Sequence, residues 1–477
     1  MNAQRMAQLL GVWRRHGSRQ GAADLAAGLR LLILDGRLPA GTALPPEREL
    51  AAALEVSRTM VAAAWERLRA DGLVFSRRGA GSWTAIPTGA SRHESPGDLD
   101  RPVIDLARAV PPAIPGIAAA AEAVLPKLAP ELASHGQYER GMPELRERLA
   151  QRYTERGLPT TPDQVLVTNG AHIALAMALR LFVGPGDRVL IEQPTYPNAI
   201  EAIRGVHAVP VPVAMGDGLT DAAWDLDGVE ATLRQAAPRM AYVIVDFHNP
   251  TGHRLDAAGR QQLGAALRRA RTPVVVDETL VELDLGGGAA PPPFGAFGGD
   301  LVLATGSAGK SHWGGLRLGW IRASAEIVDR LSAARRGLDL GSPVFEQLLL
   351  TELLAGSREP LHERRAQLAE HRDALVDALR AECPDWTFTV PQGGLSLWCR
   401  LPAPVGTRIA AVAQNFGVRV VPGSVFSPHG GLERWLRVPY TQPVDVLRTA
   451  VGRLAAAAAS VAESGATIAE NGLIPVT

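Results

Sequence analysis

Five short runs rich in β-branched residues, QVLVTNG, DRVLIEQP, MAYVIVDF, TPVVVDE and DLVLATG, lie between residues 164 and 306. Segments with helical apolar spacing, such as HIALAMALRLF and AGRQQLGAALRRA, separate them. Strands that alternate with helices cannot pair through hairpins. They pair in parallel through helical crossovers, so the body of the chain is an α/β domain with a mostly parallel sheet and helices on both faces. Beyond about residue 325 helices dominate, and WTFTV, LSLWCRL and VRVVP predict a smaller α+β subdomain.

The same region holds an odd residue. Lys127 and Lys310 are the only lysines in the chain, and arginine supplies the other cationic side chains. Lys310 stands in ATGSAGKSHWGGLRLGW, residues 304–320, which reads as a loop. An amine can lose its proton and attack an aldehyde, whereas a guanidinium stays charged. A position that needs lysine as lysine points to a Schiff base, and the commonest partner is pyridoxal 5'-phosphate. That cofactor demands an acid for its ring nitrogen, donors for its phosphate and a ring to stack on its pyridine.

Each demand has a candidate. Asp277 ends TPVVVDE, at the strand end where open α/β sheets bind ligands. Asn249, in FHNPTG, ends the strand AYVIVDF and is placed to donate to the phenolic oxygen. Gly170 and Ala171, between a strand and a helix, offer backbone amides to the phosphate. Ser307 and Arg317 flank the lysine and suit the same phosphate, and Tyr196 in EQPTYPN is the stacking candidate. Taken singly, these are also ordinary features: a glycine turn, an NP-TG turn, a strand-end cap. Their weight comes from occurring together in the required order.

The first 84 residues form a different unit. They carry twelve arginines against seven acids, although the whole chain has zero formal net charge. A basic head on an acidic body is suited to a polyanion. ADLAAGLRLLILDG, ERELAAALEV and SRTMVAAAWERLRADG have helical periodicity, and LVFSRRGAGSWTA reads as a hairpin. Ser57 is placed to cap the third helix, with Arg58 and Thr59 in its first turn. In helix-turn-helix proteins that turn reaches base edges. Arg77 and Arg78, before Gly79 and Gly81, suit a wing lying on phosphates or in the minor groove.

We divide the chain into a head at 1–85, a linker at 86–102 rich in proline, glycine and serine, and a body at 103–477. Cys383 and Cys399 have no metal-ligand spacing, no metal site is expected, and a reducing compartment suits them. No run approaches ~18 uncharged apolar residues, so a soluble, cytoplasmic protein is the expectation.

LPPERELA, SRTMV and RRGAGSW resemble the winged helix of GntR-type bacterial regulators, with Pro46–Glu47 where that family often has a serine. The resemblance implies that Arg48 contacts phosphate or base. From Val103 onward, TNGAHIALAMAL, HNPTG, VVVDE, SAGKSHWGGLRLGW, PQGGLSLW, VVPGSVFS and LRVPY resemble fold-type I aminotransferases. That resemblance implies an internal aldimine at Lys310, Asp277 on the ring nitrogen and Asn249 near the phenolic oxygen. It assigns the phosphate to Ser307, Arg317, Gly170 and Ala171, and a ligand α-carboxylate to Arg437. Two departures stand out. Glu278, Thr279 and Leu280 follow Asp277 where many relatives have a tyrosine, and Tyr138 in HGQYERG stands closer to its glycine than usual.

The pairing of head and body is similar to the MocR subfamily of GntR regulators. It implies a homodimeric transcriptional regulator that binds operator DNA and senses an amino acid or amine by external aldimine formation. The alternatives are a working aminotransferase carrying a DNA-binding head, and a DNA-binding protein whose body takes no cofactor.

Overall fold

The computed structural model describes residues 2–11, 13, 21–34, 38, 41–77, 81–85, 103–216, 224–288, 290–356 and 358–470. The linker at 86–102 and Arg78 lie outside the described residues, as does the side chain of Arg77.

The head contains α1 (Ala3–Leu10), α2 (Gly21–Leu34), α3 (Glu47–Ala53) and α4 (Arg58–Ala70), followed by the antiparallel pair β1 (Val74–Arg77) and β2 (Gly81–Thr84). Helix α1 precedes the helices expected from the sequence; Asn2 caps it, and its Met6 is fully buried. Met6 joins Leu25, Leu29, Leu50, Val61, Trp65 and Leu68 in one apolar core, so the head has an interior of its own. Phe75 stacks on Trp83 across the hairpin, with ring centroids 5.5 Å apart, which stiffens a two-stranded ribbon.

The body opens with β3 (Ile104–Asp105). Its central sheet has seven strands: β4 (Val165–Thr168), β5 (Arg188–Gln193), β6 (Val209–Ala214), β7 (Met240–Val243), β8 (Val274–Asp277), β9 (Val302–Ser307) and β10 (Gly319–Arg322). Their order is β4-β10-β9-β8-β7-β5-β6. All neighbours are parallel except β10, which runs antiparallel to β4 and β9. Alternate residues serve opposite faces. Ile191, Tyr242, Val275 and Leu303 pack with helices Ala171–Phe182 and Ala325–Arg335, whereas Leu190, Val243, Val276 and Val302 pack with Ala257–Ala270. Burial on both faces is why these strands read as continuous apolar runs.

The smaller subdomain holds β11 (Ser396–Arg400), β12 (Val418–Arg419), β13 (Val421–Pro422) and β14 (Trp435–Pro439). Strands β11, β14 and β13 form one sheet against helices Glu359–Glu382 and Val444–Glu470. This subdomain is not built only from residues beyond 325. Strand β3 pairs in parallel with β12, and Leu106 is fully buried in its core. WTFTV forms no strand; Thr387 makes only an isolated bridge to Arg400. Cys383 and Cys399 are free thiols buried in the same core. No helix among the described residues is long and apolar enough to cross a membrane, and no cluster of His, Cys, Asp and Glu there is arranged to hold a metal ion.

Candidate ligand site at the strand ends

The C-terminal ends of the parallel strands share one edge of the sheet. Gly319 lies opposite both Ser307 and Thr168, and Asp277 lies opposite Thr305. That register brings Asp277, Ser307 and the turn after Thr168 to the floor of a single cavity of about 1530 Å³, ample for a cofactor together with a small ligand. Lys310, Asn249, Tyr196, Gly170, Ala171, Arg317 and Arg437 line the same cavity.

Lys310 is not on a loop, as the sequence suggested. It sits on a short helical turn, Ala308–Ser311, between antiparallel β9 and β10, and Ser307 caps that turn by accepting from Gly309 N at 3.0 Å. Burial pushes the lysine amine down to about 8, and the Arg437 and Arg317 cations add to the shift while Asp277 opposes it. The neutral, nucleophilic form therefore gains as pH rises through about 8. Nζ donates to the Ala109 carbonyl at 2.9 Å.

Asp277 receives two hydrogen bonds. Tyr242 OH donates to Oδ2 at 2.7 Å, and Thr279 N donates to Oδ1 at 2.9 Å. Burial and the adjacent Asp277 anion hold the Tyr242 phenol well above its usual range, so it keeps its proton and donates. Asn249 lies six residues past the end of β7, not at the strand end itself; its Oδ1 accepts from Arg437 Nη1 at 3.3 Å, leaving its NH2 as the remaining donor. Gly170 is the N-cap of helix Ala171–Phe182, and no side chain caps that helix, so its first amides are open to an anion. Arg317 overhangs this turn: a side chain placed on Gly170 would lie 3.5 Å from Arg317 Nη2.

Arg437 stands in the middle of β14 and is buried. Its Nη2 donates to the Ala107 carbonyl, its Cζ lies 5.2 Å from the Phe426 ring centroid, and its Nε is buried without a partner. An incompletely paired buried guanidinium is a site for an anion. Burial lowers the group to about 10, still charged at neutral pH.

Both departures have a structural account. Glu278 turns away from the cavity into a buried ion pair with Arg156 at 3.0 Å, and Thr279 and Leu280 line the cavity instead. Tyr138 donates its phenol to Glu131 at 2.7 Å and does not line the cavity.

Several residues of the site carry no sequence signal of their own. Tyr242 reads as one more apolar residue of a buried strand. Arg335 donates to the carbonyls of Val167 and Glu139 and pairs with Asp339, which accepts from Asn169 Nδ2 at 2.9 Å. This anchors the Thr168–Gly170 turn from behind. His172, one residue into the helix, lines the cavity, and burial and Arg317 depress its pKa.

The residues fit pyridoxal phosphate. An amine of lowered basicity, a doubly hydrogen-bonded carboxylate, and uncapped helix amides beside an arginine surround one cavity.

On the head, Arg48, Ser57, Arg58 and Thr59 are exposed at the starts of α3 and α4. Ser57 Oγ accepts from Met60 N at 3.2 Å and lies 2.9 Å from Thr59 Oγ1, while Arg58 pairs with Glu47 at 3.3 Å.

Residues 113–454 match the family model for aminotransferase class I and II, and residues 22–83 match that for bacterial regulatory proteins of the gntR family. The uncharacterized HTH-type transcriptional regulator YdcR of Escherichia coli is 26% identical over 445 residues, covering 87% of this chain and 93% of that protein. The "Probable rhizopine catabolism regulatory protein MocR" of Rhizobium meliloti is 27% identical over 429 residues, covering 83% and 84%. Among solved structures, LysN, an alpha-aminoadipate aminotransferase of Thermus thermophilus complexed with N-(5'-phosphopyridoxyl)-L-leucine, matches with a TM-score of 0.70 at 29% identity. That match covers 76% of this chain and 93% of LysN.

Proposed function

Because the chain belongs to the aminotransferase class I and II family and joins to it a gntR-type DNA-binding head, the build of MocR-type regulators, we propose that it is a transcriptional regulator whose body senses an amino acid or amine at Lys310. The observation that carries this reading is the meeting of the Lys310 amine, the Asp277 carboxylate and the Arg437 guanidinium on one cavity, in a chain that also presents Arg48, Arg58 and Thr59 on an exposed helical face.

Pyridoxal phosphate bound there supplies an aldehyde carbon that can exchange one amine for another. The protein's own groups set the terms. Lys310 offers an amine that loses its proton near pH 8. Asp277, which accepts from Tyr242 OH and Thr279 N, would face the pyridine nitrogen. The Gly170 amide, predicted to face the phosphate, instead donates to the Thr168 carbonyl at 2.9 Å, so the uncapped helix amides from Ala171 onward, with Ser307 and Arg317, would take the phosphate. Tyr196 would stack on the ring, and Arg437 would take a ligand carboxylate by exchanging its bonds to Asn249 and the Ala107 carbonyl.

The same residues also equip a transaminase, the activity in the name of the Thermus protein. Thr279 and Leu280, standing where a phenol would give a further hydrogen bond to the cofactor, favour sensing over turnover. A steady exchange of amino acid for keto acid without DNA would reverse that judgement.

A ligand shifts DNA affinity only by binding two arrangements of the body unequally, and a coupling of ~1–3 kcal/mol is enough. Two copies reading two half-sites suit a two-fold operator. Exposed Leu125 and Leu132, on and just after helix Ile117–Glu131, and Leu338 and Leu340, in the loop before helix Val344–Ala355, offer apolar surface for the pairing.

The test is to titrate the loaded protein with a panel of amino acids and amines, following visible absorbance and operator affinity in the same samples. At least one compound should move both with the same half-saturation. Lys310→Ala should lose the visible band and the ligand response while still binding operator. A spectral change with no change in operator affinity would defeat the sensing role.

A further inference from the structure

We propose that the ligand is a dicarboxylic amino acid and that Arg108 takes its distal carboxylate. This rests on the reading of the cavity as an amino-acid site.

The two groups that would fix an amino acid are Arg437, for its carboxylate, and Lys310, for its nitrogen. They are hydrogen-bonded to the backbone on either side of one residue. Arg437 Nη2 donates to the Ala107 carbonyl, and Lys310 Nζ donates to the Ala109 carbonyl at 2.9 Å. A ligand held by both therefore lies alongside residue 108, whose side chain lines the cavity and is 68% exposed.

Arg108 is also incompletely satisfied. Its nearest carboxylate is Asp105, at 3.7 Å, beyond hydrogen-bond range. Asp105 is shared, since Arg419, which lines the same cavity, approaches it to 3.5 Å. Two guanidiniums around one carboxylate leave a positive charge over, and an exposed, loose pair of this kind is easily exchanged. Of the other cavity arginines, Arg204 pairs with Glu201 at 2.8 Å and donates to the Pro428 carbonyl, Arg30 pairs with Asp71, and Arg317 lies beside the Gly170 turn on the side assigned to the phosphate. A distal carboxylate on Arg108 gains a charge-assisted, fork-shaped contact in place of the long one to Asp105.

The experiment compares acids with their uncharged isosteres on the full-length, cofactor-loaded protein. Half-saturation of the visible-spectrum change is measured for glutamate, glutamine, 2-aminoadipate and norleucine. Glutamate should saturate at a concentration at least about tenfold below glutamine, the preference expected of one charge-assisted hydrogen-bond pair. Arg108→Gln should remove that preference and leave glutamine where it was, and Arg108→Lys should restore part of it. Arg437→Gln should weaken acid and amide together. Equal binding of glutamate and glutamine by the wild type, or a preference that survives in Arg108→Gln, overturns the proposal while the sensing reading stands. If no amine perturbs the spectrum, the sensing reading falls and takes this one with it.

Discussion

Gly319 sits where no side chain fits. A Cβ there would lie 2.6 Å from both Ala171 N and Gly170 C and 2.7 Å from the Gly306 carbonyl oxygen, all of them backbone atoms. Gly319→Ala must therefore push the turn that offers its amides to an anion, at an overpacking cost of ~1–3 kcal/mol. We expect the variant to keep its far-ultraviolet circular dichroism and to hold pyridoxal phosphate about tenfold or more weakly; unchanged retention would show that this turn does not bear on the phosphate. Single residues of the site differ in how readily the sequence discloses them. Lys310 was conspicuous because the chain has one other lysine, and Asp277 because a charge ends an apolar run. Tyr242, which donates to that carboxylate, was not legible: in a strand buried on both faces a phenol looks like any other large apolar residue. The carbonyls of Ala107 and Ala109 were beyond reach in principle, since a main-chain acceptor leaves no mark in side-chain pattern.

Elements follow the same logic. Strands β4, β5, β7, β8 and β9 were legible as apolar runs because helices cover both their faces. Strand β6 was not, since Pro210 and Pro212 read as loop; a sheet edge tolerates them, and β6 is an edge. Strand β10 was hidden in a glycine-rich stretch, yet its antiparallel return carries the chain past Lys310 and sets Gly319 opposite Thr168. In the head, Ser57 was legible as a cap because it stands directly before a helical period, and its oxygen takes Met60 N. The first turn of α4 leaves the Arg58 side chain 74% exposed, with one long contact to Glu47. Replacing Arg58 with alanine should weaken operator binding about tenfold to a hundredfold, as expected for loss of a base contact, with the visible spectrum of the loaded body unchanged. Fluorescence anisotropy on operator DNA, read beside the absorbance, settles whether head and body are separable in this way.

Across the whole molecule, the architecture predicts assembly. The 50.5 kDa chain should sediment as a two-fold dimer, and its footprint should show two related half-sites centred about 34–36 Å apart or at multiples of that spacing. A monomer in solution that protects a single half-site would contradict the arrangement. One feature of the body bears on how such a dimer would respond. The chain leaves the linker at residue 103 and is at once clamped to the small lobe, through the β3–β12 pairing and the burial of Leu106. Three residues later it touches, through Ala109, the amine of Lys310. The stretch that opens the body at residues 103–109 is therefore fastened both to the small lobe and to the cavity wall. A ligand that drew Arg437 and Lys310 away from the two alanine carbonyls would loosen the very stretch by which the body begins.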